Sequence, residues 1–293
     1  MTIQKHVLPA LLTAGLLMGA CAAGPEPREN PIPVQAPPAA AVESQGPLAL
    51  YSRELRIPLW ETVPPELESE KAPALGLKLD LIYPRQAGGS PEEQALDLLF
   101  RRTFYQGQAV QDYAGELIRL QTLEYRDMGE EAKNYPNMIN SGTLNWSYEE
   151  SFEVELITAR LLIISRSRSH YAGGAHGNYD KTYFIFDREV SMLLTLSDLI
   201  RAERRPAVQD LVNRELLNSK QLRAGDSLKA AGYLVDRAEL TDNIFLSPQG
   251  LGFHWDPYEI APYAEGYVEV TVPLEELRSF LSPEGLRMFR ELE

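Results

Sequence analysis

The stretch Ser169-His170-Tyr171-Ala172-Gly173-Gly174-Ala175-His176-Gly177-Asn178-Tyr179 is a glycine-rich segment between two apolar runs. The residues before it, from Phe152 to Ile164, and those after it, from Tyr183 to Phe186, are rich in the β-branched and aromatic side chains that favour strands. Its glycines allow positive φ angles and close approach of the backbone. We therefore expect a tight loop between two strands, with both histidines at its rim.

Cap and turn signals divide the rest of the folded sequence into short elements. Clean alternation from Leu75 to Tyr83 predicts a strand, and Ser90-Pro91-Glu92-Glu93 predicts a helix with Ser90 as N-cap. Ser197 is predicted to cap a helical turn, and Ser247-Pro248-Gln249-Gly250 is predicted to close a hairpin. The pattern predicts an α+β fold, with a mainly antiparallel or mixed sheet and helices packed on a face.

The chain of 293 residues is acidic, with a formal net charge of −14. Because nucleic-acid phosphates require basic patches, we expect no nucleic-acid partner. The same charge opposes electrostatic attachment to anionic lipid, and it would steer a cationic partner toward the surface. An acidic surface also keeps a protein soluble without any partner, so charge alone identifies no ligand.

The N-terminal segment has the features of a lipoprotein signal. A basic start precedes an apolar run from Val7 to Met18, which is too short to span a bilayer but is typical of a signal-peptide core. The run leads into Leu17-Met18-Gly19-Ala20-Cys21, which resembles the bacterial lipobox. We predict a signal peptide over residues 1–21, lipidation of Cys21 and export to the cell envelope, with the outer membrane facing the periplasm as the site in a Gram-negative cell. A plain secretory signal is the alternative, and it would leave Cys21 as an unpaired exported thiol.

Residues 22–47 are rich in Pro, Ala, Glu and Gln and poor in large apolar side chains. Such a composition does not offset the entropy of ordering, and proline favours extended polyproline II structure. We predict a disordered tether, which at about 3.1 Å per residue would extend to roughly 80 Å. Folded sequence is expected from Leu48 onward.

Two motifs in the second half of the chain resemble one family of envelope proteins. The first is His170 to Asn178, followed by Leu194-Thr195-Leu196-Ser197-Asp198-Leu199-Ile200, and the second runs from Leu251 to Gly266. Together, in this order, they are similar to the extracellular domain of RsiV-like proteins. Residues 48–170 resemble the companion domain that precedes it in RsiV and in the peptidoglycan deacetylase PdaC. We therefore predict a companion domain over residues 48–170 and an RsiV-like domain over residues 171–293.

The resemblance implies an α+β fold in the cell envelope and, as in RsiV, a receptor role for lysozyme. RsiV has a sigma-binding segment and a transmembrane helix before this domain, and the deacetylase has a catalytic domain after it. With a lipobox signal before the domain and Glu293 at the end of the sequence, we expect neither activity here. We predict a binding module without catalysis or cofactor, anchored to the membrane through Cys21, that recognises a cationic protein such as lysozyme or peptidoglycan fragments. The alternatives are an envelope glycan hydrolase or deacetylase-related enzyme, and a structural lipoprotein that docks to an envelope assembly.

Candidate ligand-binding residues lie in the two motifs. Tyr258 and Tyr263 are each preceded by a proline, so their loop is expected to be rigid, and exposed tyrosines give a large contact area at low entropic cost. The same tyrosines could instead pack inward and anchor the loop. The candidate set is His170, Tyr171, Gly173, Gly174, His176, Asn178, Trp255, Tyr258, Glu259 and Tyr263.

Hydrolytic chemistry has little support in the sequence. A Ser-His-Asp hydrolase of the nucleophile-elbow type needs a Gly-x-Ser-x-Gly pattern, which is absent. The pairs Glu149 with Glu150 and Asp256 with Glu259 could act on a glycoside, as many pairs in an acidic protein could. We predict no catalytic residue.

The histidines and the aromatic side chains suggest two further hypotheses, a metal site and a platform for sugar rings. His170, His176 and His254 could join nearby carboxylates around a metal, but their spacing matches no standard zinc pattern, so we predict no metal. We expect His176 instead to fix the glycine loop through a hydrogen bond. An aromatic platform for sugar rings is the weaker alternative to core packing for Trp146, Tyr148, Phe152 and Trp255.

Overall fold

A six-stranded mixed sheet frames the protein, and its strands lie side by side in chain order. This computed structural model describes residues 48–60, 72–85, 90–134, 144–222 and 226–292. The strands are β1 (Leu48–Pro58), β2 (Ala74–Pro84), β3 (Asn145–Ile157), β4 (Leu161–Tyr171), β5 (Asn178–Asp187) and β6 (Met192–Leu194). Only β2 and β3 pair in parallel among them, because a helical crossover connects these two strands.

The crossover consists of α1 (Pro91–Phe104) and α2 (Val110–Ala132), which cover one face of the sheet. The predicted cap is confirmed: Glu93 N–H donates to Ser90 Oγ, and Ser90 N–H donates to the Glu93 carboxylate, each at 3.2 Å. The helices separate where Gln106 and Gly107 take positive φ angles of 52° and 84°. Apolar side chains of both helices and of the sheet form the first core beneath them.

A three-stranded antiparallel sheet and four helices follow along the chain. The elements are α3 (Leu196–Leu199), α4 (Arg205–Ser219), β7 (Ile244–Ser247), β8 (Gly250–Trp255), β9 (Val268–Pro273), α5 (Leu274–Leu277) and α6 (Pro283–Arg290). The predicted hairpin between β7 and β8 is confirmed. These elements form a second core with Leu161, Ile163 and Ile185 of the large sheet, whereas Leu162 and Ile164 belong to the first core. The first half of β4, residues 161–165, is therefore buried on both faces.

The predicted α+β class with a mixed sheet is confirmed, and two local predictions are corrected. The helical turn α3 is capped by Thr195 rather than Ser197, since the N–H and hydroxyl of Thr195 both donate to the Asp198 carboxylate at 2.7 Å. The glycine loop is shorter than predicted, because Ser169 pairs with Tyr179 and His170 with Asn178 in the β4–β5 ladder. The loop itself spans residues 172–177.

All described residues belong to one compact unit. The predicted division between residues 48–170 and 171–293 falls at the end of β4, and it stays a prediction. The signal peptide, Cys21 and the tether lie outside the described residues. None of the helices in the described part of the chain combines the length and apolar character that a bilayer span requires.

Candidate functional site

The two sequence motifs meet in space, although they are about 90 residues apart. The loop of residues 172–177 contacts the loop that follows β8, which spans residues 256–267. Tyr263 Oη donates a hydrogen bond of 2.8 Å to Gly177 O, and the rings of His176 and Tyr263 stack with centroids 3.9 Å apart and planes 22° apart. The expected hydrogen bond of His176 is present, since its Nδ1–H donates to Gly177 O at 2.9 Å.

These contacts continue into a row of aromatic side chains, which we call the aromatic ridge. Tyr263 lies 5.5 Å from Tyr179 and 5.7 Å from Tyr258, and Tyr179 lies 5.0 Å from Tyr267, all between ring centroids. His176 and Tyr258 are exposed, Tyr258 by 55%, and the other rings are half-buried. The ridge consists of His176, Tyr179, Tyr258, Tyr263 and Tyr267.

Backbone geometry fixes both sides of the ridge. A Cβ atom at Gly177 would lie 2.7 Å from His170 O, so a larger residue cannot follow the same path. Tyr258 has a φ of 72°, a left-handed value that is uncommon for a residue other than glycine. Its N–H donates to Ala261 O at 3.0 Å, and Ile260 and Ala261 are buried beneath it. The exposed tyrosine therefore stands on an anchored turn.

Beneath the ridge, side chains close the open edge of β5. Strand β6 pairs only with residues 185–187 of β5, which leaves the backbone of Lys181 and Tyr183 at an edge. Asp256 Oδ1 accepts from Lys181 N–H at 2.9 Å, and Asn243 Oδ1 accepts from Tyr183 N–H at 2.9 Å. Asn243 Nδ2 also donates to Lys181 O at 2.7 Å. Two side chains thus replace a neighbouring strand and satisfy the polar groups of the edge.

His254 lies at the centre of this arrangement and is fully buried. Its Nε2 is 3.0 Å from Asp256 Oδ1, and its Nδ1 is 2.8 Å from Glu269 Oε1. Because both ring nitrogens face carboxylate oxygens, this geometry favours an imidazolium, which donates through both nitrogens. Tyr183 Oη donates to the same Glu269 oxygen at 3.0 Å. We call the connected set the edge clasp, which consists of Lys181, Tyr183, Asn243, His254, Asp256 and Glu269.

The pKa values of the clasp follow from burial and pairing. Burial lowers the pKa of His254, but the hydrogen bonds to Asp256 and Glu269 outweigh it and raise that pKa above its ordinary value. The hydrogen bond from His254 in turn lowers the pKa of Glu269. Burial raises the pKa of Tyr183 to about 12, and burial also raises the pKa of Glu259. The two shifts therefore favour a charged His254 beside a charged Glu269.

This geometry limits the chemistry that His254 can perform. The imidazole has no contact with solvent, and both nitrogens are engaged, so it cannot exchange protons with a molecule bound at the surface. Asp256 and Glu269 lie on opposite ring nitrogens and do not converge on one point. In the described ranges, no group of three His, Cys, Asp or Glu side chains could hold a metal ion.

The carboxylates of the two candidate pairs lie in different surroundings. Glu149 and Glu150 are adjacent on β3 and point to opposite faces of the sheet, so Glu149 is exposed and Glu150 is buried. Glu150 accepts a hydrogen bond of 2.8 Å from Tyr148 Oη. Asp256 is held in the clasp, and the Glu259 carboxylate accepts from Asp256 N–H at 2.7 Å. Each of these carboxylates except Glu149 thus has a structural partner.

Several candidate residues lie outside the ridge. His170 and Asn178 are opposite each other on β4 and β5, and they point to the other side of the sheet from Tyr179. Tyr171 Oη donates to Gly174 O at 3.1 Å across the glycine loop, where Gly173 and Gly174 have φ angles of 87° and 98°. These residues shape the loop that carries His176.

Trp255 was predicted as a candidate ligand-binding residue, and this prediction is wrong. Its side chain is only 4% exposed and packs in the second core, because alternate residues of β8 face the interior. Trp146 and Phe152 are buried in the first core, so the considered aromatic platform is not formed. Of the predicted set, the structure brings together His176, Tyr258, Glu259 and Tyr263.

Sequence reasoning missed Tyr179, Tyr267 and most of the clasp. A signal for His254 was present, since Leu251, Phe253 and Trp255 alternate with Gly252 and His254 along β8. That alternation places His254 on the face of β8 opposite the apolar face formed by Leu251, Phe253 and Trp255. Its hydrogen-bond partners are Asp256, two residues later, and Glu269 on β9. No local pattern identifies Glu269.

Comparisons with known proteins agree with this fold. Residues 197–275 match the family model described as "Protein of unknown function (DUF3298)", and this range includes His254, Tyr258, Tyr263 and Tyr267. No curated protein matches the chain. A crystal structure of a DUF3298 family member from Bacteroides fragilis has a TM-score of 0.72 at 23% identity, over 87% of this chain and 98% of that one. A DUF3298 family protein from Pseudomonas aeruginosa has a TM-score of 0.52 at 19% identity, over 80% of this chain and 95% of that one. The chain is therefore similar to DUF3298 proteins in sequence over residues 197–275 and in fold over most of its length.

Proposed function

We propose that the protein is a lipid-anchored binding module of the cell envelope, without catalysis, whose aromatic ridge recognises a cationic protein such as a lysozyme. The observation that carries the proposal is the ridge itself. Two loops from distant parts of the chain form one partly exposed aromatic surface. Tyrosines of this kind supply large contact area with few rotatable bonds, as in the hot spots of protein interfaces.

Charge supports a cationic partner. Glu259 and Glu265 are exposed on the same loop as Tyr258 and Tyr263, and the chain has a net charge of −14. Lysine and arginine side chains bind both to carboxylates and to aromatic faces. The resemblance of the two motifs to RsiV-like proteins adds lysozyme as a specific member of this class. Peptidoglycan fragments are the other ligand in the test below.

The absence of catalysis is part of the proposal. It is supported by the enclosure of His254 and by the structural use of Asp256 and Glu259. A group that transfers protons in a reaction must reach its substrate, and these side chains are held by the protein itself. Incubation of the protein with peptidoglycan should therefore release no soluble products.

Binding of the full chain to immobilised lysozyme tests the proposal, at low and at moderate salt. We expect saturable binding that weakens only modestly with salt. Tyr263→Ala should lower the affinity at least about tenfold, and Tyr263→Phe, which keeps the ring and removes only the hydrogen bond to Gly177, should lower it less. Leu120→Ala is the matched control, because Leu120 is 47% exposed on α2, on the other side of the sheet.

The other outcomes are informative. Binding that vanishes with modest salt, and that polylysine reproduces, would reduce the interaction to net charge. Binding to peptidoglycan fragments but not to lysozyme would replace the proposed ligand. Binding to neither would overturn the proposal.

Anchoring is tested separately through Cys21. We expect the protein to fractionate with membranes in a bacterial host and Cys21→Ser to release it, because two or more acyl chains are needed for stable attachment. A wild-type protein found free of membranes would contradict lipidation.

A further inference from the structure

We propose that His254 is the positioning residue of the aromatic ridge, and that the ridge releases its ligand as His254 loses its proton. This inference rests on the proposed function for the ligand, but its structural part stands on the clasp alone. His254 has no contact with solvent, and its one direct contact with the ridge is to the half-buried ring of Tyr267, 4.9 Å away between centroids. It acts through Asp256.

Asp256 connects the clasp to the ridge. Its Oδ1 receives two hydrogen bonds, from His254 Nε2 at 3.0 Å and from Lys181 N–H at 2.9 Å. It is also the first residue after β8, where the ridge loop begins, and its own N–H is held by Glu259 at 2.7 Å. The position of this single carboxylate thus ties the ridge loop to β5, the strand that carries Tyr179.

The number of protons on the ring decides whether both carboxylates can stay in place. An imidazolium donates through both nitrogens, whereas a neutral imidazole has one N–H and one lone pair. Loss of the proton would leave a lone pair facing a carboxylate oxygen at 2.8 or 3.0 Å, a repulsive contact in a buried site. One carboxylate must then move, and movement of Asp256 would detach the start of the ridge loop from Lys181.

The charged surroundings favour the protonated ring. Lys181 is a cation of the clasp, and its Nζ is occupied by Glu155 at 3.1 Å and by the ring of Tyr183 at 4.7 Å. The titratable groups facing His254 are Asp256 and Glu259 from the ridge loop, Tyr267 and Glu269 from β9 and its start, Lys181 and Tyr183 from β5, and Glu155 from β3. Because most of these are acidic, the proton should leave only above the ordinary histidine value of 6.5.

The first experiment needs no ligand. Nuclear magnetic resonance would follow the ring nitrogens of His254 and the amide of Lys181 in the full chain from about pH 5 to about pH 10. We expect both ring nitrogens to carry protons at neutral pH. The Lys181 amide and the ridge rings should then change with the same midpoint as the His254 ring. A ring that is neutral at pH 7, or a ridge unaffected by its deprotonation, would overturn the inference.

The second experiment measures lysozyme affinity across the same pH range. Affinity should fall with the midpoint found for His254. Glu269→Gln should move that midpoint down by roughly one pH unit, because it removes one of the two carboxylates that stabilise the imidazolium. Glu153→Gln is the matched control, since it makes the same charge change at an exposed position on β3 and should leave the midpoint unchanged.

The two experiments separate the two ideas. Failure of lysozyme to bind at any pH would remove the proposed ligand, and the ligand-free titration would still decide the role of His254. Binding whose midpoint is the same in the wild type and in Glu269→Gln would show that His254 does not position the ridge.

Discussion

The two faces of the large sheet are covered in different ways. Under α1 and α2, Phe104 lies within 4.7 to 5.8 Å of the rings of Phe100, Phe152, Phe184 and Phe186. On the other side, the second core packs on Leu161, Ile163 and Ile185, and the second sheet also reaches β5 through the charged edge clasp. Packing of the first kind depends little on pH, whereas the second kind depends on the protonation of His254. We therefore expect the phenylalanine rings around Phe104 to contribute most to stability. Recognition is expected on the side of the sheet that carries the clasp.

The largest effect is expected from Phe104→Ala. Phe104 is 3% exposed and contacts rings from both helix and sheet, so its loss leaves a cavity that neighbours cannot fill. The free energy of unfolding should fall by about 3–5 kcal/mol, measured by chemical denaturation. Leu98→Ala, at a position of α1 that is 48% exposed, should change it by less than about 0.5 kcal/mol. Equal effects of the two variants would contradict the division of roles.

Gly252→Ala is expected to disturb the second sheet next to the clasp. A Cβ atom at this position would overlap the ring of Phe245, which in turn packs on Tyr183 at 4.8 Å. Overpacking of this kind should cost about 1–3 kcal/mol of unfolding free energy. The same substitution in a Phe245→Leu background should cost less, because the overlapping ring is gone. An equal cost in both backgrounds would show that the ring is not the cause.

The pH dependence of stability should distinguish the two sides. Because the pKa of His254 is raised in the folded state, its contribution to the free energy of unfolding is complete below pH 6.5. That contribution is lost as the pH rises through the folded-state pKa. Because the pKa of Glu269 is lowered in the folded state, its contribution to the free energy of unfolding is complete above pH 4.5. That contribution is lost as the pH falls through the folded-state pKa. The clasp should thus stabilise the fold most between pH 4.5 and pH 6.5.

Denaturation at a series of pH values checks this window. The alkaline decline should be on the order of 1 kcal/mol in the wild type and smaller in Glu269→Gln. Phe104→Ala should lower the whole curve and leave its shape unchanged. A wild-type curve without a decline above pH 6.5 would contradict the assigned charge of His254.

The smallest expected effect is a gain in stability from Gly115→Ala. Gly115 lies inside α2, and a Cβ atom there would meet nothing within 4 Å. Glycine in a helix interior is less favourable than alanine, so the free energy of unfolding should rise by about 0.5–1 kcal/mol. Lysozyme affinity should not change. A loss of stability would mean that the helix face at Gly115 is constrained.

Much of the fold was accessible from local sequence. Ser90, Pro91 and Glu93 fix the start of α1 because cap, ring and carboxylate each satisfy a local requirement of the first helical turn. The hairpin at residues 247–250 follows from its turn residues in the same way. Thr195 was missed in favour of Ser197 because both positions offer a capping hydroxyl, and only the contact with Asp198 separates them.

The site was accessible only in part, since it depends on long-range contacts. Glycines marked the loop of residues 172–177, and two prolines marked the loop after β8. His176, Tyr258 and Tyr263 were found in this way. Their meeting depends on hydrogen bonds between β5 and residues 60 and 75 positions later, at Asn243 and Asp256. Trp255 was named as a ligand-binding candidate, although core packing was also expected for it, because residue type alone cannot tell that both faces of β8 are buried.

The most direct test of the account is the lysozyme affinity of Gly177→Ala. This variant adds one methyl group where a Cβ atom would lie 2.7 Å from His170 O, and it removes no aromatic side chain of the ridge. If the two loops must meet to form the recognition surface, the affinity should fall at least about tenfold, whereas Gly115→Ala should leave it unchanged. Unchanged affinity in a folded Gly177→Ala protein would contradict the account.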